Sequence, residues 1–104
     1  MAYQVVWSPA ALADVEAIAA YISRDSTSYA AAVVKKLLDS TRSLKDFPLA
    51  GRVVPEFSES NIREVFAYSY RIIYSLDIEA VTIAAVIHEK RLLGVIPPTV
   101  RNHE

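Results

Sequence analysis

Three closely spaced runs of β-branched and aromatic residues constrain this chain more than any other feature. The runs are residues 62–66, 70–74 and 81–88, and residues of these types favour the pleated, half-buried surface of a sheet. The gaps between them are short enough for the tight connections of an antiparallel meander. The third run is apolar at nearly every position, which is typical of a strand covered on both faces. The segment from residue 62 to residue 91 is therefore predicted to form the centre of the fold.

Two helices are predicted ahead of these strands. After a short strand signal at residues 3–7, Ser8 can cap a helix and Pro9 suits its first position. Apolar residues spaced by three and four predict helices over residues 9–23 and about 29–46. Such a helical hairpin must bury its apolar side against the sheet. The predicted fold is therefore α+β, with an N-terminal strand and an antiparallel helical hairpin packed on one face of an antiparallel β-sheet.

Length and composition narrow the class of protein. A chain of 104 residues is long enough for one domain, which we expect to span residues 1–96, with residues 97–104 as a flexible tail. The net charge is −1. Proteins that bind long nucleic acid unaided use clustered Lys and Arg side chains, so this balanced charge counts against such binding. No run has the length and apolarity of a membrane span and no signal-peptide pattern is recognised, which predicts a cytoplasmic protein.

Neither a metal nor a cofactor is expected. The chain contains no cysteine, which excludes disulfides and thiolate metal sites. His88 and His103 lack partners at the spacing of metal ligands.

Arginines within and beside the apolar sheet are the candidates for function. Arg63 and Arg71 lie in the first and second runs, and Arg91 follows the third. If the turns keep an even register, Arg63 and Arg71 share the face away from the helices, and Glu64 lies on the opposite face. Arg52 is expected to hold the loop between helix and sheet. The same alternation places Ile73, Val81 and Ile83 beside the two arginines, and Tyr70, Ile72 and Tyr74 in the core.

Several short motifs run from about residue 5 to residue 93. They include Trp7-Ser8-Pro9, Tyr21-Ile22, Phe47-Pro48, Gly51-Arg52, Ile62-Arg63-Glu64, Tyr70-Arg71-Ile72-Ile73-Tyr74, and His88 with Arg91. Together with the order of the elements, these motifs resemble the RelE/ParE toxin superfamily, and its ParE branch in particular. The resemblance implies the toxin of a type II toxin–antitoxin system, built as a helical hairpin on an antiparallel sheet. It also implies a complex with a cognate antitoxin, which lays an extended, partly helical segment across the toxin.

The resemblance leaves two activities open. ParE members are described as poisons of DNA gyrase, whereas RelE members cut mRNA on the ribosome. RNA cleavage by 2′-OH attack needs a base, an acid and cations for the phosphate charge. The candidates here are Arg63, Arg71, His88 and Arg91, with Glu64 or Glu89 as possible bases.

Two departures from the nuclease pattern favour the gyrase-inhibiting branch. No tyrosine follows the third run, and no lysine lies between residues 51 and 74. We therefore expect a protein-binding toxin without catalytic activity, in which Arg63, Arg71 and Arg91 contact the target or the antitoxin. A ribosome-dependent endoribonuclease is the alternative, and a degenerate toxin kept only as a partner-binding module is a third. A histidine that ends a buried strand is more often a hydrogen-bonded structural residue than a catalytic base.

Overall fold

Both helices and the predicted strand runs lie close to their expected positions. A computed structural model describes residues 2–90; Arg91, His103 and the predicted tail, 97–104, lie outside the described residues. A two-residue strand, β2, is an addition to the predicted elements. In chain order the elements are β1 (Gln4–Trp7), α1 (Pro9–Ser23), α2 (Thr27–Arg42), a 3-10 turn (Ser43–Lys45), β2 (Arg52–Val53), β3 (Ile62–Ala67), β4 (Tyr70–Leu76) and β5 (Ala80–His88).

Serine side chains begin both helices. The Ser8 Oγ accepts a hydrogen bond from the Ala11 N–H at 3.0 Å, and Pro9 follows as the first helical residue. The Ser26 Oγ accepts from the Tyr29 N–H at 3.1 Å, so α2 begins two residues earlier than the predicted boundary. Each serine satisfies an N–H group that has no partner within its helix.

The sheet is mixed, in the order β1-β5-β4-β3-β2. Strands β3, β4 and β5 form the predicted antiparallel meander. Strand β1 pairs in parallel with β5, which differs from the purely antiparallel sheet that was expected. The other elements lie between β1 and β5 in the chain, and so long a connection allows the parallel pairing that a hairpin turn does not.

Side chains of α1 cover the part of the β5 edge that β1 does not reach. Strand β1 ends opposite Ile83. Beyond that point the Ser8 Oγ donates to the Ala84 carbonyl at 3.3 Å, and the Asp14 carboxylate accepts from the Val86 N–H at 2.9 Å. Asp14 is partly buried, and its carboxylate ties α1 to the sheet.

The main core lies between the helical hairpin and one face of the sheet, as predicted. Burial of this apolar surface is the main stabilising contribution of the helical layer. Its buried members are Ala11, Val33, Leu37, Leu44, Ala67, Ile72, Tyr74, Val81, Ile83 and Val86.

A second, smaller core lies on the other face of the sheet. Val54 is fully buried there and Phe57 is partly buried, and both belong to the connection between β2 and β3. That connection therefore covers part of the sheet face that lies away from the helices. The other members of this core are Ile62, Ile73, Ala84, Ala85 and Ile87.

Candidate functional site

The hairpin between β3 and β4 places the two central arginines on opposite faces of the sheet. Ala67 pairs with Tyr70, so the loop has only two residues, and Arg63 lies opposite Tyr74 while Arg71 lies opposite Phe66. Directly opposed residues of an antiparallel pair point to the same face. The prediction that Arg63 and Arg71 share a face is therefore wrong, because a two-residue loop aligns odd-numbered residues of β3 with even-numbered residues of β4.

A β-bulge in β5 changes which of its residues face the helices. Ile73 pairs with Ala85, but the next residue, Tyr74, pairs with Ile83, which leaves one residue of β5 unmatched. Val81 and Ile83 therefore belong to the helix-covered core and do not lie beside Arg71, as the simple alternation predicted. An extra residue of this kind shifts the side-chain alternation within a single strand.

Arg71 lies in a network of ion pairs on the face away from the helices. Its Nε donates to Glu64 Oε1 at 2.6 Å, and its two terminal nitrogens donate to the two Glu56 carboxylate oxygens, each at 2.9 Å. The other Glu64 oxygen accepts from Arg52 Nε at 2.6 Å. We call these four residues, Arg52, Glu56, Glu64 and Arg71, the arginine–glutamate cluster. The prediction that Glu64 lies on the other face is wrong.

Within this cluster Arg71 is protonated, and its positive charge is balanced by the carboxylates of Glu56 and Glu64. The hydrogen bonds to Glu56, followed by the one to Glu64, raise the pKa of Arg71 above its ordinary value despite burial. The same hydrogen bond from Arg71 lowers the pKa of the Glu56 carboxyl. Arg71 is only 5% exposed, so in this structure its guanidinium binds carboxylates of its own chain and is closed to a partner.

Arg63 ties together two loops. Its Nε donates to the Ser60 carbonyl at 3.0 Å and its Nη1 to the Gly51 carbonyl at 2.9 Å. Holding the loop ahead of the sheet was the role predicted for Arg52, and the structure gives it to Arg63.

Gly51 meets the sheet too closely for any side chain. A Cβ atom there would lie 2.6 Å from both the Glu64 carbonyl oxygen and the Tyr74 hydroxyl. The Gly51 N–H donates to that hydroxyl at 2.9 Å, and the hydroxyl donates to the Pro48 carbonyl at 2.8 Å. Glycine at this position lets β2 enter the sheet beside Glu64.

Arg52 is the most exposed member of the cluster. Its side chain is 59% exposed, and its guanidinium carbon lies 5.3 Å from the centre of the Phe66 ring. Sequence reasoning did not assign this residue to a contact surface. What marks Arg52 as part of the site is its position opposite Glu64 in a two-residue edge strand. That position can be recognised only once the register of β2 is known.

His88 ends β5 and lies apart from the arginines. It pairs with Tyr70, so it points to the face opposite Arg71, and its ring meets Tyr70 edge-on at 6.0 Å between centres. Its Nδ1 accepts a hydrogen bond from the Lys90 N–H at 3.2 Å. On that face Arg63 lies opposite Tyr74. Tyr74 is four residues along β4 from Tyr70, the partner of His88, which is about 13 Å at the rise of a strand. The structure therefore does not bring Arg63, Arg71 and His88 together, and Glu89 is exposed beyond the end of β5.

Residues 2–90 contain neither a cluster of metal-ligating side chains nor a membrane-spanning helix. In that part of the chain no three His, Asp or Glu side chains are grouped as ligands for a metal ion. The helices between residues 2 and 90 are also too short or too polar to cross a membrane.

Comparison with known proteins gives one family and one fold. The pattern that describes the family "ParE toxin of type II toxin-antitoxin system, parDE" matches residues 5–93. A comparison with curated protein sequences gave no match. Among solved structures the chain is similar to one titled "Chromosomal ParDE TA system from P. aeruginosa", with a TM-score of 0.69 and 16% identity, covering 83% of this chain and 95% of that chain. At this identity the structural match establishes the fold alone.

Proposed function

This chain belongs to the ParE toxin family of type II toxin–antitoxin systems, and from that membership we propose that it is a toxin that binds and inhibits DNA gyrase in the cytoplasm. A cognate antitoxin neutralises it by forming a stable complex. In this proposal the toxin acts by occupying its target and has no catalytic step of its own.

The separation of the candidate nuclease residues is the observation that supports binding over catalysis. Arg71 lies on one face of the sheet and His88 on the other, and Arg71 is already neutralised by Glu64 and Glu56. A phosphate-cleaving site needs its cations and its acid or base within hydrogen-bonding reach of one reacting group. Arg63, Arg71 and His88 do not form such a group, which argues against the alternative of a ribosome-dependent nuclease.

The predicted contact residues fit this proposal to different degrees. Arg63 is half-buried and keeps part of its side chain at the surface, so we retain it as a proposed contact with the target or the antitoxin. Arg91 lies outside the described residues and stays a prediction. Arg71 supports the proposed contact surface indirectly, by holding Glu64 in place.

A supercoiling assay tests gyrase inhibition directly. Purified toxin is expected to block supercoiling of relaxed plasmid by DNA gyrase, or to trap cleaved DNA, in proportion to its concentration. The matched control is the same toxin mixed beforehand with its antitoxin, which should leave supercoiling intact. Gyrase that works normally at saturating toxin would exclude this activity.

Transcript integrity tests the nuclease alternative. The toxin is expressed without its antitoxin until growth stops, and translated mRNA is mapped by primer extension. We expect intact transcripts during the arrest. Cleavage within codons that appears only when the toxin is expressed would replace the gyrase proposal with the nuclease one.

A further inference from the structure

We propose that Arg52 and Phe66 form a preorganised binding site for a carboxylate side chain of the antitoxin. This inference rests on the proposed function, because it assumes the antitoxin complex. The site lies on a different surface from the one predicted from the sequence. It is built on Arg52, whose guanidinium is the exposed one of the two in the arginine–glutamate cluster.

The position of the Arg52 side chain is fixed by two contacts. Its Nε donates to Glu64 at 2.6 Å, and its guanidinium stacks over Phe66. Glu64 is itself fully buried and holds Arg71 with its other oxygen, so it cannot turn away from Arg52. A long side chain normally loses rotamer freedom when a partner binds, and this one has already lost much of it on folding.

The outer end of the guanidinium is available for binding. Within residues 2–90 the only recorded hydrogen bond of Arg52 uses Nε, which leaves both terminal nitrogens as donors. A guanidinium presents such donors in a planar fork that matches the two oxygens of a carboxylate. Arg52 also lies in β2, the last strand of the sheet, where an extended partner segment can approach along the strand edge.

Charge and composition favour a protein carboxylate over a nucleic acid phosphate. The cluster contains two arginines and two glutamates, so its charges sum to zero and provide no surplus for a polyanionic backbone. Phe66 is 45% exposed and adds apolar surface beside the fork. Arginine and aromatic residues, phenylalanine included, are both enriched in protein–protein interfaces relative to the rest of the surface.

The test measures the affinity of the purified antitoxin for toxin variants by titration calorimetry. Arg52→Lys keeps the positive charge but removes the fork, and Arg52→Gln removes both. Each is expected to weaken binding on the order of tenfold or more, as the loss of a charge-assisted bidentate contact does. Arg42→Lys and Arg42→Gln are the controls, because Arg42 is exposed and bonded to a carboxylate on α2. These should change affinity less than about twofold, within the range of surface ion pairs.

A double-mutant cycle identifies the partner group. Each Asp and Glu of the antitoxin's toxin-binding segment is changed to its amide and titrated against wild-type toxin and Arg52→Lys. One carboxylate should lose its effect on affinity in the Arg52→Lys background and keep it in the Arg42→Lys background. Additive effects at every acidic position would overturn the inference.

Other outcomes separate failure of this inference from failure of the proposed function. If wild-type toxin does not bind the antitoxin, the proposed function itself fails. If Arg52→Lys binds as well as wild type, the carboxylate site is overturned while the proposed function stands. If Arg52→Lys keeps full antitoxin affinity but no longer inhibits gyrase, the fork faces the target, and the inference is again overturned. A urea unfolding curve for each variant shows whether a loss of affinity comes from a loss of folded protein.

Discussion

The two faces of the central sheet are buried by different means. On one face a pair of amphipathic helices covers aliphatic side chains and Tyr74. On the other face the cover is a short connection from β2 to β3, together with the arginine–glutamate cluster and a small apolar core. The first face is held mainly by apolar contact, and the second combines apolar contact with charge-assisted hydrogen bonds.

This difference teaches how the fold combines stability with a defined surface. Apolar contacts tolerate small shifts and exchanges of similar side chains. A buried carboxylate between two guanidinium groups tolerates neither, because an unpaired buried charge is costly. It is on this second face that the exposed Arg52 is held between the buried Glu64 and the Phe66 ring.

Removing Glu64 should break the second face most severely. Glu64→Ala leaves Arg71 buried with one remaining carboxylate partner and releases Arg52. Because the buried Arg71 loses one of its two carboxylate partners, we expect the free energy of unfolding to fall by up to about 3 to 5 kcal/mol, measured by urea denaturation. Asp39→Ala is the control, since Asp39 also accepts from two cations but on the exposed side of α2, and it should have little effect. Equal losses for the two variants would contradict the comparison.

A pair of core truncations tests whether the second face is a true core. Leu37→Ala opens a cavity under the helices, and Ile73→Ala opens one on the opposite face, where Ile73 is fully buried. We expect each to lower the free energy of unfolding by about 2 to 5 kcal/mol, the usual cost of removing a large buried aliphatic side chain. A loss below about 1 kcal/mol for Ile73→Ala alone would mean that the second face is a surface with little packing behind it.

The smallest expected effect is the acid sensitivity of the tie between Glu56 and Arg71. The pKa of Glu56 is lowered from its ordinary value of 4.5 by the hydrogen bond from Arg71. A carboxyl with a depressed folded pKa stabilises the fold above its unfolded pKa, and this contribution is lost as the pH falls through the folded pKa. Glu56 is 38% exposed, so solvent screening limits the effect to at most about 1 kcal/mol.

Comparing wild type with Glu56→Gln isolates this contribution. Between about pH 7 and pH 3 the stability of the wild type should fall more than that of the variant, because the glutamine does not titrate. The measurement is the urea midpoint at each pH. Parallel curves for the two proteins would mean that Glu56 contributes no pH-dependent stability.

Much of the fold could be predicted because its signals are local. Ser8 and Pro9 marked the start of α1, and apolar spacing located both helices and the helix-covered core. The candidate site was harder to predict, because its geometry depends on pairing. One residue in the turn at Tyr68 and Ser69, or one at the bulge near Ala84, moves every later side chain to the other face. For this reason Arg71 was correctly placed away from the helices, while Arg63 and Glu64 were assigned to the wrong faces.

The sequence by itself determined both helices and four of the five strands, which follow from short-range patterns of residue type, and the family, which follows from the order of the motifs along the chain. Only the tertiary structure decided that β1 runs parallel to β5, that Arg71 meets Glu64 and Glu56, and that Arg52 is held exposed over Phe66. The physical reason is that such contacts join residues distant in the chain. Their partners are fixed by strand register and by the electrostatic cost of leaving a buried charge unpaired, and neither can be read from residues taken one neighbourhood at a time.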